Sequence, residues 1–152
     1  MTTLHYSHLA DSVGRQIGPT QPIAITQERI DAFAVITEDR QWIHVDPVRA
    51  TEGPFGTPIA HGYLSLSLAS AFVGQLLEVT GVEALINYGA NRVRFPSPVP
   101  VGSELRATGE IVAVETGAGW TQLELRLTME TGGSKPVCVA DILLRFIPVS
   151  AG

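Results

Sequence analysis

The sequence contains a single cysteine, Cys138, among its 152 residues, so no disulfide can form within the chain. An unpaired cysteine in an apolar stretch is typical of a buried thiol, and it suits a reducing compartment such as the cytoplasm. The chain is also poor in charge: 16% of its residues are charged, and the net charge is −5. Because the few basic residues form no run, we predict no nucleic-acid binding.

Neither a targeting segment nor a membrane span is recognisable in the sequence. The N-terminal residues lack the basic region and apolar run of a secretory signal, so we expect a cytoplasmic protein. Residues 59–79 contain no Lys, Arg or Asp, but a histidine, two glycines and several serines make them too polar to cross a bilayer. We therefore predict a buried helix over 62–79 and no membrane partner.

The length of the chain suits one domain over residues 1–152, with enough residues to bury a sizeable core. Hydrophobic residues make up 45% of the sequence. A surface with so few charges favours burial of one face against a partner chain, so homo-oligomerisation is plausible.

Two helices are predicted before the buried one. Thr26 can cap a helix that follows a short strand in QPIAIT. The inward face of this helix repeats at helical spacing and comprises Ile30, Phe33, Ala34 and Thr37. Asp46 followed by Pro47 is typical of a helix start, and we place a short helix there through Ala50.

The second half of the chain alternates apolar and polar residues, as half-buried strands do. One run comprises Leu105, Ala107, Gly109, Ile111 and Ala113, and another comprises Leu123, Leu125, Leu127 and Met129. Residues 137–147 are apolar on both faces, which indicates a central strand. Strands joined by short turns pair antiparallel, and their apolar face needs a cover. The pattern predicts an α+β hot-dog fold, in which an antiparallel sheet wraps around a long central helix.

The segment TEDRQWIHVDP, residues 37–47, contains a carboxylate and an imidazole that could move protons. Asp39 and His44 lie where the helical pattern has ended, so a bent loop can direct both side chains at one point. This pair suits acid–base chemistry because imidazole titrates near neutrality. The alternative is a solvated polar loop, and these residues alone leave both open. Asp46 belongs to the next helix and not to the chemistry.

Gly62 opens the buried helix, where the first backbone N–H groups have no acceptor within the helix. These donors, with the positive end of the helix dipole, suit an oxygen that gains negative charge. The alternative is a glycine that only relieves a tight turn. An acid–base pair and an oxyanion donor are together the set needed beside a thioester carbonyl.

Three stretches resemble the family of MaoC-like, (R)-specific enoyl-CoA hydratases. They are TEDRQWIHVDPVRA, FGTPIAHGY and INYGANRVRFPSPVPVGSELRATGEI. The resemblance covers roughly Ile25 to Val114. The family motif reads approximately Ser/Thr-Gly-Asp-x-Asn-Pro-hydrophobic-His-x-Asp, followed by Ala/Gly-His-Gly. The matching residues are Thr37, Asp39, Ile43, His44, Asp46, Ala60, His61 and Gly62. Glu38, Gln41 and Trp42 replace the glycine, asparagine and proline of the motif.

The resemblance implies a hydro-lyase. In such enzymes water adds across the C2=C3 bond of a trans-2-enoyl-CoA to give an (R)-3-hydroxyacyl-CoA, and the reverse reaction is a dehydration. Asp39 and His44 would hold and deprotonate the water, while the Gly62 N–H would bind the thioester oxygen as the enolate forms. His61 would structure the loop. The resemblance implies neither a metal nor a redox cofactor.

Three further residues are candidates for contact with the acyl-CoA. Gln41 keeps an amide that can hold the water or the dyad. Ser70, two helical turns beyond Gly62, could be a polar contact near the ligand or a small residue for close packing. Asn87 could orient the dyad or the thioester, or belong to a turn or strand edge. Hot-dog proteins commonly pair through sheet edges with acyl-CoA at the interface, so a homodimer is expected.

Three alternatives remain open for the function. A hot-dog thioesterase would hydrolyse acyl-CoA, although it generally uses a carboxylate without the Asp-x4-His arrangement. A dehydratase of type II fatty-acid synthesis would perform the same reaction on an acyl carrier protein. A non-catalytic acyl-CoA-binding subunit is disfavoured because Asp39 and His44 are both present.

Overall fold

The computed structural model describes residues 1–150. Their first half contains β1 (Thr2–His5), a 3-10 helix (Tyr6–Ser12), β2 (Gln16–Ile17), β3 (Ile23–Ala24), α1 (Gln27–Thr37), α2 (Trp42–Val45), α3 (Pro47–Thr51), α4 (Gly62–Ser67) and α5 (Ala69–Leu76). The second half contains β4 (Leu77–Thr80), β5 (Val82–Arg94), β6 (Glu104–Gly117), β7 (Trp120–Glu130) and β8 (Cys138–Pro148). The strands predicted from the two alternating runs and from residues 137–147 are confirmed as β6, β7 and β8.

The main sheet is antiparallel and has the strand order β2-β6-β7-β8-β5, with β3 also paired to β6. β8 lies between β7 and β5, which confirms the central position predicted from its two apolar faces. β1 and β4 form a separate parallel pair. β5 is an edge strand, because within residues 1–150 only β8 pairs with it.

The apolar face of the main sheet packs against α4 and α5. Phe72 of α5 is fully buried, and Leu64 of α4 lies in the same cluster. The four predicted inward residues of β7 are all fully buried: Leu123, Leu125, Leu127 and Met129. An antiparallel sheet around buried helices is the α+β arrangement that the sequence predicts.

The alternation predicted for β6 is right only for the first part of that strand. Leu105, Ala107 and Ile111 are buried, but Ala113 is exposed. The pairing register between β6 and β7 shifts between Ile111 and Ala113. Because such a bulge inserts an extra residue, every later side chain moves to the other face of the sheet.

The predicted long helix over 62–79 is wrong in its extent. The chain turns at Leu68, whose N–H is shared between the carbonyls of Leu64 and Leu66, and the helix ends at Leu76. The next residues form β4, since they pair in parallel with β1. That partner is 75 residues away, so local pattern could not reveal the pairing. No helix within residues 1–150 is both long and apolar enough to span a membrane.

Both predicted helix starts are confirmed. The Thr26 side chain accepts a hydrogen bond from the N–H of Arg29, and Asp46 accepts one from the N–H of Arg49 at 3.0 Å. Ile30 and Ala34 of α1 are buried as expected. Thr37 is exposed, and its hydroxyl donates to the backbone carbonyl of Phe33. The last turn of α1 has therefore already left the core.

We predict that the isoleucines of α1 differ sharply in their contribution to stability. Ile30 is fully buried, so Ile30→Ala should lower the free energy of unfolding by about 2–5 kcal/mol through lost burial and a cavity. Ile36 is 80% exposed in the same helix, and Ile36→Ala should stay within about 0.5 kcal/mol. Denaturant unfolding of both variants measures the contrast. Equal losses would contradict the packing of this helix.

Candidate active site

The loop that carries Asp39 begins with a left-handed residue. Glu38 follows the end of α1 with φ 63°, and within residues 1–150 it is the only residue other than glycine with a positive φ. It occupies the position of the motif's glycine, which adopts this conformation without steric cost. The turn brings Asp39 outward, with its side chain 52% exposed and Oδ1 3.4 Å from the Gln41 N–H.

His44 is a buried side chain on the short helix α2, which sequence reasoning had treated as loop. Its Nδ1 lies 2.6 Å from the carbonyl oxygen of Ile59. Since a carbonyl oxygen only accepts, Nδ1 carries the proton and Nε2 has a free lone pair. Burial lowers the pKa of His44, and the charge of His61 lowers it further; the Ile59 hydrogen bond and the Asp39 carboxylate oppose this change. The lowered pKa favours the neutral form of the imidazole.

His61 connects the two predicted dyad residues. Its Nε2 lies 2.9 Å from the backbone carbonyl oxygen of Asp39 and 4.0 Å from the Asp39 Oδ2. Its ring stacks on the His44 ring with 3.8 Å between centroids, and Phe33 packs against it at 5.1 Å. These contacts fix the Asp39 backbone relative to the His44 ring. They are consistent with the expectation that His61 structures the loop.

Asp39, His44 and His61 each offer one ligand atom, and these atoms lie within 4.8 Å of one another. Such a set could hold a divalent cation. Each histidine also has one ring nitrogen that contacts a backbone carbonyl, which leaves one nitrogen per ring for other partners. His5 and His8 lie exposed near the N-terminus, in β1 and the 3-10 helix, and are not part of this set.

A cavity of about 320 Å³ brings His44 and Gly62 together. Its other lining residues are Phe55, Ile59, Ala60, Ser65, Phe95, Pro96, Ser97, Pro98, Val99 and Val137. Gly62 is the first residue of α4, so its N–H has no acceptor within the helix. The Phe95 ring lies 3.0 Å from the place where a Cβ on Gly62 would be. A Cβ at this position would require the Phe95 ring to shift by a few tenths of an ångström.

The remaining predicted contacts lie away from this cavity. Gln41 is exposed at the start of α2. Ser70 and Asn87 line a second cavity of about 240 Å³ between α5 and β5, and the Asn87 amide donates to the Ser70 hydroxyl at 3.1 Å. Ser70 belongs to α5, whereas Gly62 is the first residue of α4. The structure thus places Asp39 near His44, His44 with Gly62 at the first cavity, and Ser70 with Asn87 at the second.

Sequence reasoning missed three contributors to the site. The Ile59 carbonyl that orients His44 is a backbone group, and no side-chain pattern marks it. Phe95 reaches Gly62 from the end of β5, a contact between distant parts of the chain. Ser65, three residues after Gly62, could have been found because residues at this spacing share a helix face.

Trp42, which replaces the motif's proline, packs beside the site rather than in it. The guanidinium of Arg49 lies 4.4 Å from the centre of the Trp42 ring. On the other side, a Cβ on Gly53 would come within 2.8 Å of the same ring. The tryptophan therefore packs between α3 and the turn that follows it, and this explains how the loop accommodates it.

Comparisons with known proteins identify the family to which this chain belongs. Residues 8–132 match the family model of the MaoC-like domain. The 3-hydroxyacyl-thioester dehydratase Z of Mycobacterium tuberculosis (strain ATCC 25618 / H37Rv) is 50% identical over 141 residues, which cover 91% of this chain and 93% of that protein. The (R)-specific enoyl-CoA hydratase of Aeromonas caviae is 34% identical over 103 residues, which cover 68% of this chain and 74% of that protein.

The solved structure of the (R)-hydratase from A. caviae involved in PHA biosynthesis has a TM-score of 0.68 to this chain at 27% identity. The match covers 87% of this chain and 94% of that one. The similarity confirms the hot-dog fold, and the hydratase and dehydratase relatives support a hydro-lyase. The chain belongs to the family of MaoC-like dehydratases, as the resemblance of its motifs implied.

Proposed function

We propose that this chain hydrates trans-2-enoyl-CoA to (R)-3-hydroxyacyl-CoA and catalyses the reverse dehydration. The observation that carries the proposal is a buried imidazole that lines a cavity together with Gly62 and lies near the Asp39 carboxylate. The (R) configuration and the CoA carrier follow the name of the A. caviae relative. The name of dehydratase Z describes the reverse direction on a thioester.

The dyad would activate one water molecule. The ligand atoms of Asp39 and His44 lie within 4.8 Å of each other, so one water at hydrogen-bond distance, about 2.8 Å, can contact both. As the water oxygen bonds to C3, its proton passes to the dyad, which then returns a proton to C2. The lone pair on His44 Nε2 suits proton acceptance. Positioned acid–base catalysis contributes about 10²–10⁴-fold to the rate.

The Gly62 N–H would bind the thioester oxygen in this proposal. During attack at C3 the C2=C3 electron pair moves towards the carbonyl, and the oxygen gains negative charge. A backbone donor directed at that oxygen is worth about 10²–10³-fold. The absence of a side chain at Gly62 supports this role, because it leaves the cavity open beside the N–H.

We extend the proposal to Gln41, Ser70 and Asn87 as substrate contacts. The second cavity, where Ser70 and Asn87 meet, is lined mostly by apolar groups such as Leu66 and Ile142, which suits an acyl chain. The exposed Gln41 amide lies two residues from Asp39 and can reach the polar part of a ligand at the entrance. The substrate in this proposal is an acyl-CoA thioester, and no cofactor takes part.

We also propose that the protein forms a homodimer through β5. This strand has 13 residues and pairs only with β8 in the described chain, so one edge offers free backbone groups. Its apolar side chains Leu85, Ile86 and Tyr88 are each about half exposed. A long apolar edge strand favours pairing with another chain. The second cavity borders the same strand, so a partner there would also enclose the acyl chain.

Asp39→Asn and His44→Gln should each lower kcat/KM for hydration by about 10²–10⁴-fold, because either change removes half of the dyad. The double variant should be little worse than either single one. Loss of the conjugated-thioester absorbance measures hydration, and a thiol reagent measures CoA release. Asp46→Asn is the matched control, since asparagine caps a helix as well as aspartate does.

The same assay separates the alternatives. CoA release without hydration would favour a thioesterase, and neither reaction would favour a binding subunit. Faster turnover of the same acyl group on an acyl carrier protein than on CoA would favour the dehydratase of fatty-acid synthesis. Full activity in both dyad variants would reject the assignment of Asp39 and His44.

The acid limb of kcat/KM against pH should have its midpoint below 6.5, the ordinary pKa of histidine, because burial lowers the pKa of His44. The free energy of unfolding should also decrease as the pH falls through this range. Between pH 6.5 and the lowered value the unfolded chain binds the proton first, so stability is lost as the pH falls through this window. Tm measured across this range should drop more for the wild type than for His44→Gln. A midpoint above 6.5 would contradict a neutral, buried imidazole.

Ile86→Glu should convert the protein from a dimer to a monomer of 16.2 kDa, because a charge on the apolar edge opposes pairing. The new carboxylate would face Arg145, the cross-strand neighbour of Ile86, so the chain itself should still fold. Ile36→Glu is the matched control at an exposed isoleucine of α1 and should remain dimeric. Sedimentation equilibrium measures both masses. A monomeric wild type, or a dimeric Ile86→Glu, would rule out this interface.

A further inference from the structure

Ser65 has a buried hydroxyl that is left without a partner. The residue is 1% exposed, and no group within residues 1–150 hydrogen-bonds to its Oγ. Buried hydroxyls are nearly always paired, because the loss of water costs free energy. Ser67, in the same helix, donates to the carbonyl of Tyr63 four residues earlier at 2.7 Å. Ser65 makes no such bond to the carbonyl of His61, so its hydroxyl is available to a ligand.

The position of Ser65 relates it to the proposed chemistry. It lines the cavity that His44 and Gly62 also line. It follows Gly62 by three residues, and residues at this spacing share one face of a helix. Helical side chains also point towards the N-terminus, which here is the Gly62 end. The helix therefore places a side-chain donor beside the backbone donor of Gly62.

We propose that Ser65 is a catalytic residue whose hydroxyl donates a hydrogen bond to the thioester oxygen, as a second donor beside the Gly62 N–H. This inference rests on the proposed hydratase function. When water bonds to C3, the electron pair of the C2=C3 bond moves onto C2 and the thioester oxygen, and both donors stabilise that charge. Ser65 keeps its proton throughout, and the proton for C2 comes from the dyad. Serine has a single χ1 torsion, so directing Oγ at a bound oxygen requires one rotation.

Kinetics of matched serine variants test the proposal. Ser65→Ala should lower kcat for enoyl-CoA hydration by about 10²–10³-fold, as loss of one oxyanion donor does. Tm should not fall, because the hydroxyl has no partner in the protein. Ser65→Thr retains a hydroxyl and should recover part of the lost rate. Ser12→Ala is the control: its buried hydroxyl donates to the Leu9 carbonyl at 2.6 Å, so this variant should lose stability and keep its activity.

Binding of two ligands tests the contact without turnover. Butanoyl-CoA has the thioester oxygen, and S-butyl-CoA, a thioether, lacks it. Ser65→Ala should weaken binding of butanoyl-CoA by about 3- to 10-fold, the worth of one hydrogen bond, and leave S-butyl-CoA unchanged. Titration calorimetry measures both affinities for the wild type and the variant.

The outcomes separate this inference from the proposed function. A wild type that binds butanoyl-CoA with this selectivity but hydrates no enoyl-CoA would reject the hydratase and support the Ser65 contact. Equal weakening of both ligands, or no binding of either by the wild type, would overturn the contact. A full kcat in Ser65→Ala would overturn the catalytic role. A joint fall of kcat and Tm that threonine does not rescue would show a structural role instead.

Discussion

The packing of α4 and α5 against the main sheet is the contact on which the rest of this structure depends. Phe72 and Leu76 are buried almost completely, and they meet fully buried residues of β6 and β7. Burying this much apolar surface is the main favourable term in folding, and close-packed interiors tolerate little movement. Leu64 of α4 lies in the same buried cluster, so Gly62 at the start of α4 is held in place beside the cavity.

Around that fixed point the site is assembled from backbone carbonyls as much as from side chains. The Ile59 carbonyl sets the orientation and tautomer of His44, while the Asp39 carbonyl contacts His61, whose ring supports His44. The burial that makes these contacts strong also disfavours a charge on His44. The unpartnered Ser65 hydroxyl lies in the same place, and such local costs to stability are typical of functional sites.

Two of the three departures from the family motif, Glu38 and Trp42, have separate structural explanations. Glu38 adopts the left-handed backbone that the motif's glycine would favour, so the turn keeps its shape at a cost of about 1–2 kcal/mol in backbone strain. Trp42 packs against Arg49 of α3 and against Gly53 in the turn that follows it. Neither change touches the spacing from Asp39 to His44, and the proposed chemistry depends on that spacing.

Local features of this protein could be read from its sequence. Interactions between residues close in the chain account for the helix caps at Thr26 and Asp46. The spacing of apolar residues accounts for the alternation of β7 and the central position of β8. The candidates Asp39, His44 and Gly62 could also be named, because their motif is compact in sequence. Ser65 was within reach of the same reasoning, since it shares a helix face with Gly62.

The tertiary structure alone decided the features that join distant residues. β4 exists because it pairs with β1, and the bulge after Ile111 depends on how β6 and β7 meet. Packing likewise sets three features of the site: the contact of Phe95 with Gly62, the Ile59 carbonyl at His44, and the separation of Ser70 from the dyad. Sequence period records which face of an element is apolar, but it contains no information on which distant element will cover that face or where a backbone carbonyl will point.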